Sequence, residues 1–315
     1  MSTGTHEYAD DPRNADVLIS VNGTLVSRDK AVVSVFDSGF ILGDGVWEGL
    51  RVVDGGIAFL DAHLDRLWEG ARAIDMDIGL TRDQLAARIF DCLDANGMTD
   101  GAHIRLMVTR GIKKTPYQDP RVTIGPATIV IIPEYKTASE DVKKKGLSLF
   151  TVHVRRTAPD MQDQKLNSHS KLNCILACIQ ATKAGADEAL MLDPDGAVAT
   201  CNSTHFFIVR DGEVWTSDGL YCLGGITRAN VLRLCRDNDI PVREKRFSLV
   251  DVYSADEAFV TGTFAGLTAV REVDGRVIGT PPPDSDHDGD RTGPVTRRLN
   301  ALYKDLARRE SVRPV

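Results

Sequence analysis

Apolar and polar residues alternate through "VLISVNGTLVS", and Asn22-Gly23 interrupts them where a tight hairpin turn belongs. "AVVSVFD" continues the pattern, so residues 17–36 read as strands. The period then changes. In "DAHLDRLWEGARAI", Leu64, Leu67, Trp68, Ala71 and Ile74 recur at the spacing of one helix face. "TRDQLAARIFDCLDANG" predicts a second helix, opened by Thr81 and Gln84 in a capping-box pattern and closed at Asn96-Gly97. "HIRLMVTRG" and "ATIVIIPEY" return to strand. The first half is expected to be α+β, with a mostly antiparallel sheet.

A polar, lysine-rich segment, "KTASEDVKKKG", follows and sets the expected boundaries. Residues 1–135 form an N-terminal α+β domain, 136–146 a linker, and 147–315 a C-terminal domain. The latter opens with the strand "LSLFTVHVRR", a loop "TAPDMQDQ" and a helix from Cys174 to Ala184. Turns are expected at "DPDGA", "RDGEV" and Asp274-Gly275, with a helix after "GGITR" and a strand at "EAFVTGT". "GTPPPDSDHDGDRTG" reads as a mobile loop before a last helix, "PVTRRLNALYKDLARR". The whole is a two-domain α+β and α/β chain.

Composition narrows the function. The chain has 315 residues, enough for two compact domains, with 42% apolar and 26% charged residues. A net charge of -7 argues against nucleic acid as partner, since neutralising phosphates needs a basic face. No apolar run approaches the ~20 residues of a membrane span, and the N-terminus lacks a signal-peptide core. The six cysteines form no CxxC pair, so reduced thiols and a cytoplasmic address are expected.

Candidate chemistry begins with anion sites. In "LGGITRANVLRLC", a glycine-rich turn enters a helix, and the amides of Ile226 and Thr227 with the Thr227 hydroxyl suit a phosphate; an ordinary N-cap threonine would look the same. "FVTGTFAG" sets Thr261 and Thr263 beside glycines at a strand end. Arg66, in "HLDRLW", is either a snorkelling surface arginine or a cation for an anion. Arg105 alternates with Ile104 and Leu106 on a strand, where a buried arginine needs an anionic partner. Lys113 and Lys114 are expected to be solvated, at most screening the mouth of a pocket. Lys165 and Lys171 stand where a strand gives way to a helix, in "QKLNSHSKLNCILA".

Read together, "VSVFDSGFILGDGVWEGLR", "HLDRL", "GADEALMLDPDG", "FFIVRDGEVWT", "GGITR" and "ADEAFVTGTFAGLTAVREVDGRVIG" resemble the class IV, or fold type IV, aminotransferases. The likeness runs from about Val17 to about Gly279 in the family's order and is greatest to branched-chain members. It implies pyridoxal 5′-phosphate as cofactor, two domains with the cofactor between them, an amino-acid donor, a 2-oxo acid acceptor and a homodimer. Arg66, Ile226, Thr227 and Thr263 resemble the family's phosphate ligands. Arg105 resembles the arginine near the substrate carboxylate, with His103 where branched-chain enzymes have tyrosine. Phe36 and Lys114 join these two on the substrate side.

Two stretches depart from the family's pattern. An ungapped reading from "RRTAP" to "GADEA" puts Asn167 where the Schiff-base lysine belongs, and an amide has no nucleophilic amine. Lys171 lies one helical turn on, where branched-chain enzymes carry a tyrosine touching the cofactor's phenolic oxygen. Its stem is long enough for the adjacent aldehyde, and Lys165 is the alternative. Thr200 takes the place of the glutamate that pairs with the pyridine nitrogen, and His205 that of an asparagine, in "VATCNSTHFF". A hydroxyl only hydrogen-bonds, so a weaker electron sink is expected. Transamination is the leading expectation. The others are a lyase on the same cofactor and a relative without imine chemistry.

Overall fold

The computed structural model describes residues 4–6, 10–279 and 290–313. Strands β1 (Leu18–Val21) and β2 (Thr24–Ser27) form the expected hairpin, with Asn22 at φ 52° and Gly23 at φ 85°, the left-handed geometry such a turn demands. Strands β3 (Gly45–Val53), β4 (Gly56–Ala58), β5 (Ala102–Thr109) and β6 (Thr128–Tyr135) join them. With Ser311–Val312 they make a seven-stranded antiparallel sheet, ordered Ser311–Val312, β4, β3, β5, β6, β1, β2.

One face of this sheet is apolar. Leu50, Val52, Ile104, Leu106 and Val108 are buried against Leu64, Leu67 and Ala71 of the helix Leu60–Ala73 and Leu85, Ile89 and Leu93 of the helix Arg82–Ala95. Each such side chain contributes ~1.5–3 kcal/mol when fully buried. The second helix carries the predicted capping box: the Thr81 side chain accepts from Gln84 N, and the Gln84 side chain accepts from Thr81 N. Along β5 the opposite face holds His103, Arg105 and Met107, all half-buried.

"AVVSVFD" is not a strand. A 3-10 turn at Arg28–Lys30 diverts the chain, and Val32, Val33 and Val35 are exposed. Alternation marks an extended segment, but a strand also needs a neighbouring edge for its hydrogen bonds, and among the described residues only the end of this one has it: Phe36 O accepts from Lys113 N at 2.9 Å and Asp37 bridges Ile112.

The second sheet is mixed. Its strands are β7 (Leu147–Thr151), β8 (Glu188–Leu192), β9 (Val198–Cys201), β10 (His205–Arg210), β11 (Glu213–Thr216), β12 (Val242–Glu244), β13 (Glu257–Gly262), β14 (Gly266–Val273) and β15 (Arg276–Val277). The order is β12-β11-β10-β13-β14-β7-β8-β9, with β15 paired to β14. All three expected turns join antiparallel pairs: β8 to β9, β10 to β11, and β14 to β15. The helices Leu172–Lys183, Ile226–Asp237 and Pro294–Arg309 accompany this sheet. The last begins on the buried carboxylate of Glu257, which accepts from Val295 N, Thr296 N and Thr296 Oγ1 at 2.9, 2.9 and 2.7 Å.

The lysine-rich segment taken as linker contains a short helix, Glu140–Lys145. Its acids lie in the first turn and its three lysines in the last, which suits the helix dipole. The chain forms two compact units. The N-terminal unit takes residues 10–137, 166–171 and 307–313; the C-terminal unit takes 4–6, 138–165, 172–279 and 290–306. The short piece 166–171 thus packs with the first sheet, although the residues on either side pack with the second. Most of the polar loop expected at "GTPPPDSDHDGDRTG" lies outside the described residues.

Candidate active site

In the N-terminal unit the central feature is a carboxylate. Glu48 sits on β3 amid apolar neighbours with no exposure. Burial raises its pKa, but hydrogen bonds from Arg66 and then His63 outweigh this and hold it below the usual carboxylate range. Arg66 donates side-on, Nε to Oε1 at 2.8 Å and Nη2 to Oε2 at 2.6 Å. His63 Nδ1 lies 2.7 Å from Oε2, so it is the protonated nitrogen. His63 Nε2 is buried without a partner among the described residues, and burial depresses the ring's pKa. His63 and Arg66 are three apart on one helix, which puts both on the face turned to β3. Arg66 is therefore held rather than snorkelling.

The segment 166–171 is laced to the same strand. Trp47 N donates to Asn167 O at 3.0 Å, Asn167 Nδ2 to Trp47 O at 2.6 Å, and His169 N to Gly45 O at 3.0 Å. The Trp47 indole N–H donates to Ser168 O at 3.1 Å. Asn167 is buried, and its Oδ1 accepts from Lys171 Nζ at 3.1 Å. Lys171 is half-buried, with its amine 5.5 Å from the Trp47 ring centroid. The Arg105 guanidinium lies 3.9 Å from the same ring. Lys165, in the C-terminal unit, is exposed, and its backbone N–H donates to Asp163 Oδ1.

Arg105 lines a cleft of about 450 Å³ with Arg28, Asn14, Ile132 and Glu134. Burial pushes its guanidinium below the ordinary value, and the Glu134 charge partly restores it. His103, two residues earlier on the same face, packs over Gly49: a Cβ there would stand 3.2 Å from the ring Nε2. Phe36 is exposed, and so is Lys114. Lys113 corrects the expectation of a solvated pair. It is buried, and its Nζ donates to Asp119 O at 3.2 Å as the loop folds back over its stem.

In the C-terminal unit, the helix Ile226–Asp237 starts after Gly225, which offers no side-chain cap. The amides of Ile226 and Thr227 therefore lack the intrahelical acceptor that later turns enjoy. Thr227 is buried, with its hydroxyl 3.2 Å from that of Tyr303. Thr263 is half-buried in the turn after β13. Thr261, on β13 itself, has no exposure and its Oγ1 has no partner among the described residues. Thr200 is buried on β9 and donates its hydroxyl to Thr204 O at 2.8 Å. Its proton is thus committed, leaving lone pairs only.

A family model described as "Amino-transferase class IV" matches residues 45–273, about three quarters of the chain. The chain belongs to the class IV aminotransferase family. Branched-chain-amino-acid aminotransferase-like protein 2 of Arabidopsis thaliana is 41% identical over 295 residues, which are 94% of this chain but 51% of that protein. The chain thus spans about half the length of this relative. A putative branched-chain-amino-acid aminotransferase of Methanocaldococcus jannaschii is 38% identical over 290 residues, 91% of this chain and 96% of the relative. Among solved structures, a T.th. branched-chain amino acid aminotransferase with pyridoxamine 5′-phosphate aligns at TM-score 0.84 and 31% identity, covering 94% and 95% of the two chains. The architecture is that of the fold type IV aminotransferases.

For a class IV aminotransferase the residues present fit a phosphate-bearing pyridine aldehyde, with one weak place. Each unit taken by itself offers donors of the kind such a group needs: a prealigned arginine and a half-buried amine in the N-terminal unit, and an uncapped helix start and an orphaned buried hydroxyl at Thr261 in the C-terminal unit. The weak place is Thr200. Sequence reasoning missed Glu48, His63, Trp47 and Tyr303. The signal for Glu48 was a lone carboxylate in the apolar run "GVWEGLRVV", and for His63 its three-residue spacing from Arg66.

The buried network predicts acid sensitivity. Below about pH 6.5 the unfolded chain's His63 takes up a proton that the folded one resists, so stability falls on acidification. Glu48, depressed in the fold, adds a further loss below the ordinary carboxylate range as it protonates. Urea unfolding across pH 5 to 8 should show the decline, and His63→Leu should make it shallower while lowering stability at pH 8 by about 1–3 kcal/mol. An equally steep decline in the variant would contradict the assignment.

Proposed function

We propose that the protein is a pyridoxal 5′-phosphate-dependent aminotransferase that moves an amino group from a branched-chain-like amino acid to a 2-oxo acid. The observation that carries this reading is the Trp47 indole, which neighbours both the Lys171 amine and the Arg105 guanidinium. An amine that moves a proton and a cation that binds a carboxylate, beside one aromatic side chain, would suit an amino-acid substrate. Bound pyridoxal phosphate supplies the carbonyl that takes up nitrogen and the ring that spreads charge left at the α-carbon. Lys171 Nζ holds the cofactor and moves the proton at the substrate α-carbon. Arg105 binds the carboxylate, with His103, Phe36 and Lys114 on the substrate side. On the family's pattern, Arg66, Ile226, Thr227 and Thr263 act on the phosphate. Thr200 offers the pyridine nitrogen an acceptor without charge, so turnover is expected to be slower than with a carboxylate.

One observation favours a second assignment of the amine. Lys171 Nζ is engaged by Asn167, whereas the Lys165 side chain is exposed. Borohydride reduction of cofactor-loaded protein, followed by peptide mapping, separates them. A pyridoxyl label on Lys171 is expected. A label on Lys165 would move the anchor there, and a loaded protein without any label would end the aminotransferase reading. Turnover that consumes no 2-oxo acid would point to a lyase instead.

Assembly and address complete the proposal. The helix Leu172–Lys183 exposes Leu172, Ile175, Leu176 and Ile179, a stripe at three- and four-residue spacing that a second copy of the chain would cover. Sedimentation equilibrium should find a dimer, and Ile175→Glu with Ile179→Glu should shift it to monomer; a wild-type monomer at micromolar concentration refutes this. The described cysteines are all free, which supports a reducing, cytoplasmic setting, and no helix among the described residues is long and apolar enough to cross a membrane.

A further inference from the structure

The turn "LGGIT" enters the Ile226–Asp237 helix through two glycines, and a Cβ on Gly224 would meet nothing within 4 Å. Such a turn has wide conformational freedom. A cup of backbone amides binds an anion well only if those amides are already oriented, so something must fix the turn.

His205 does this from the sheet. It opens β10, and its ring Nε2 donates to Leu223 O at 2.7 Å. Gly225 N donates to the same carbonyl at 2.8 Å. Two donors therefore converge on the Leu223 oxygen, which cannot then turn its negative end toward an anion at the helix start. The ring also packs on Gly225 so closely that a Cβ there would stand 2.6 Å from Nδ1 and 3.0 Å from Nε2. Gly225 is thus required by the ring and not by its own backbone, whose φ of -71° any residue adopts.

The ring's neighbour points the same way. Thr261 is the cross-strand partner of His205, so the two side chains share a face of the sheet. Its fully buried hydroxyl has no partner among the described residues. A buried donor without an acceptor is costly unless something arrives to accept from it.

We propose that His205 is a positioning residue for the phosphate site: it braces the Leu223–Gly225 turn from β10 so that the amides of Ile226 and Thr227 face the anion. This rests on the phosphate reading above and adds to it a residue that stands where the family's pattern has asparagine. Imidazole extends further than that amide and reaches the Leu223 carbonyl with Nε2. The consequence is selective. Loss of the brace weakens binding of the phosphate and leaves the rest of the ligand's contacts alone.

The test compares two ligands that need no covalent bond to a lysine, pyridoxamine 5′-phosphate and pyridoxamine, by fluorescence titration of the full chain. In His205→Leu, affinity for pyridoxamine 5′-phosphate should fall at least tenfold while affinity for pyridoxamine stays within twofold. His205→Gln, whose Nε2 sits at a similar reach and still donates, should recover most of the loss. Gly225→Ala, which displaces the ring, should reproduce the leucine phenotype. Equal weakening of both ligands, unchanged phosphate affinity in His205→Leu, or no recovery in a folded His205→Gln would each overturn the proposal. A wild-type protein that binds neither ligand would overturn the cofactor reading itself.

Discussion

A carboxylate without solvent, in the middle of an apolar strand, has to be matched by hydrogen-bond donors and positive charge. Glu48 is in that position, and the N-terminal unit is arranged around the match. Its partners, His63 and Arg66, come from one face of one helix, so satisfying the charge also fixes how that helix lies on β3. The apolar residues of the same helix, Leu64, Leu67 and Ala71, then fall onto the sheet without further choice. Desolvation makes the arrangement specific. A shifted helix would leave a bare charge in the core.

The same strand organises the segment from Leu166 to Lys171. The residue before Glu48, Trp47, donates its N–H to the Asn167 carbonyl, accepts at its own carbonyl from the Asn167 side-chain amide, and offers its ring to Arg105 and Lys171. Side chains alternate along a strand, so Glu48 faces the core while Trp47 and Gly49 face the other way. One strand thus carries the buried carboxylate on one face and, on the other, the indole beside Arg105 and Lys171. In the C-terminal unit the corresponding groups carry less charge: the uncapped start of the Ile226–Asp237 helix, the Thr227 hydroxyl beside Tyr303, and a turn whose Leu223 carbonyl accepts from His205.

Local rules were readable in the chain where the deciding contacts are themselves local. The Asn22-Gly23 turn, the Thr81–Gln84 capping box and the turns at Gly196, Gly212 and Gly275 depend on residues a few positions apart. The family motifs were readable as well, being short and ordered. What escaped was set by distant partners. "AVVSVFD" has a strand's pattern but finds a pairing partner only at its last two residues, and Lys113 is buried because a later part of its loop folds over it. Glu48 looked like any charged residue until two donors, fifteen and eighteen positions away, were seen to meet it. Asn167 read as a missing lysine, and the fold shows it as a strut holding Lys171. Nothing in the spacing of Gln164 to Lys171 announces that this piece packs with the first sheet.

The dependence on Glu48 is open to a direct thermodynamic measurement. A double-mutant cycle with Glu48→Gln and Arg66→Met, followed by urea unfolding at pH 8, isolates the coupling between the two groups. If the buried pair fixes the helix on the sheet, the single changes are each costly and the coupling is at least ~2 kcal/mol, because either change alone strands its partner. Additive effects, within ~0.5 kcal/mol, would mean that helix and sheet find their arrangement without the pair, and the account built on it would fail.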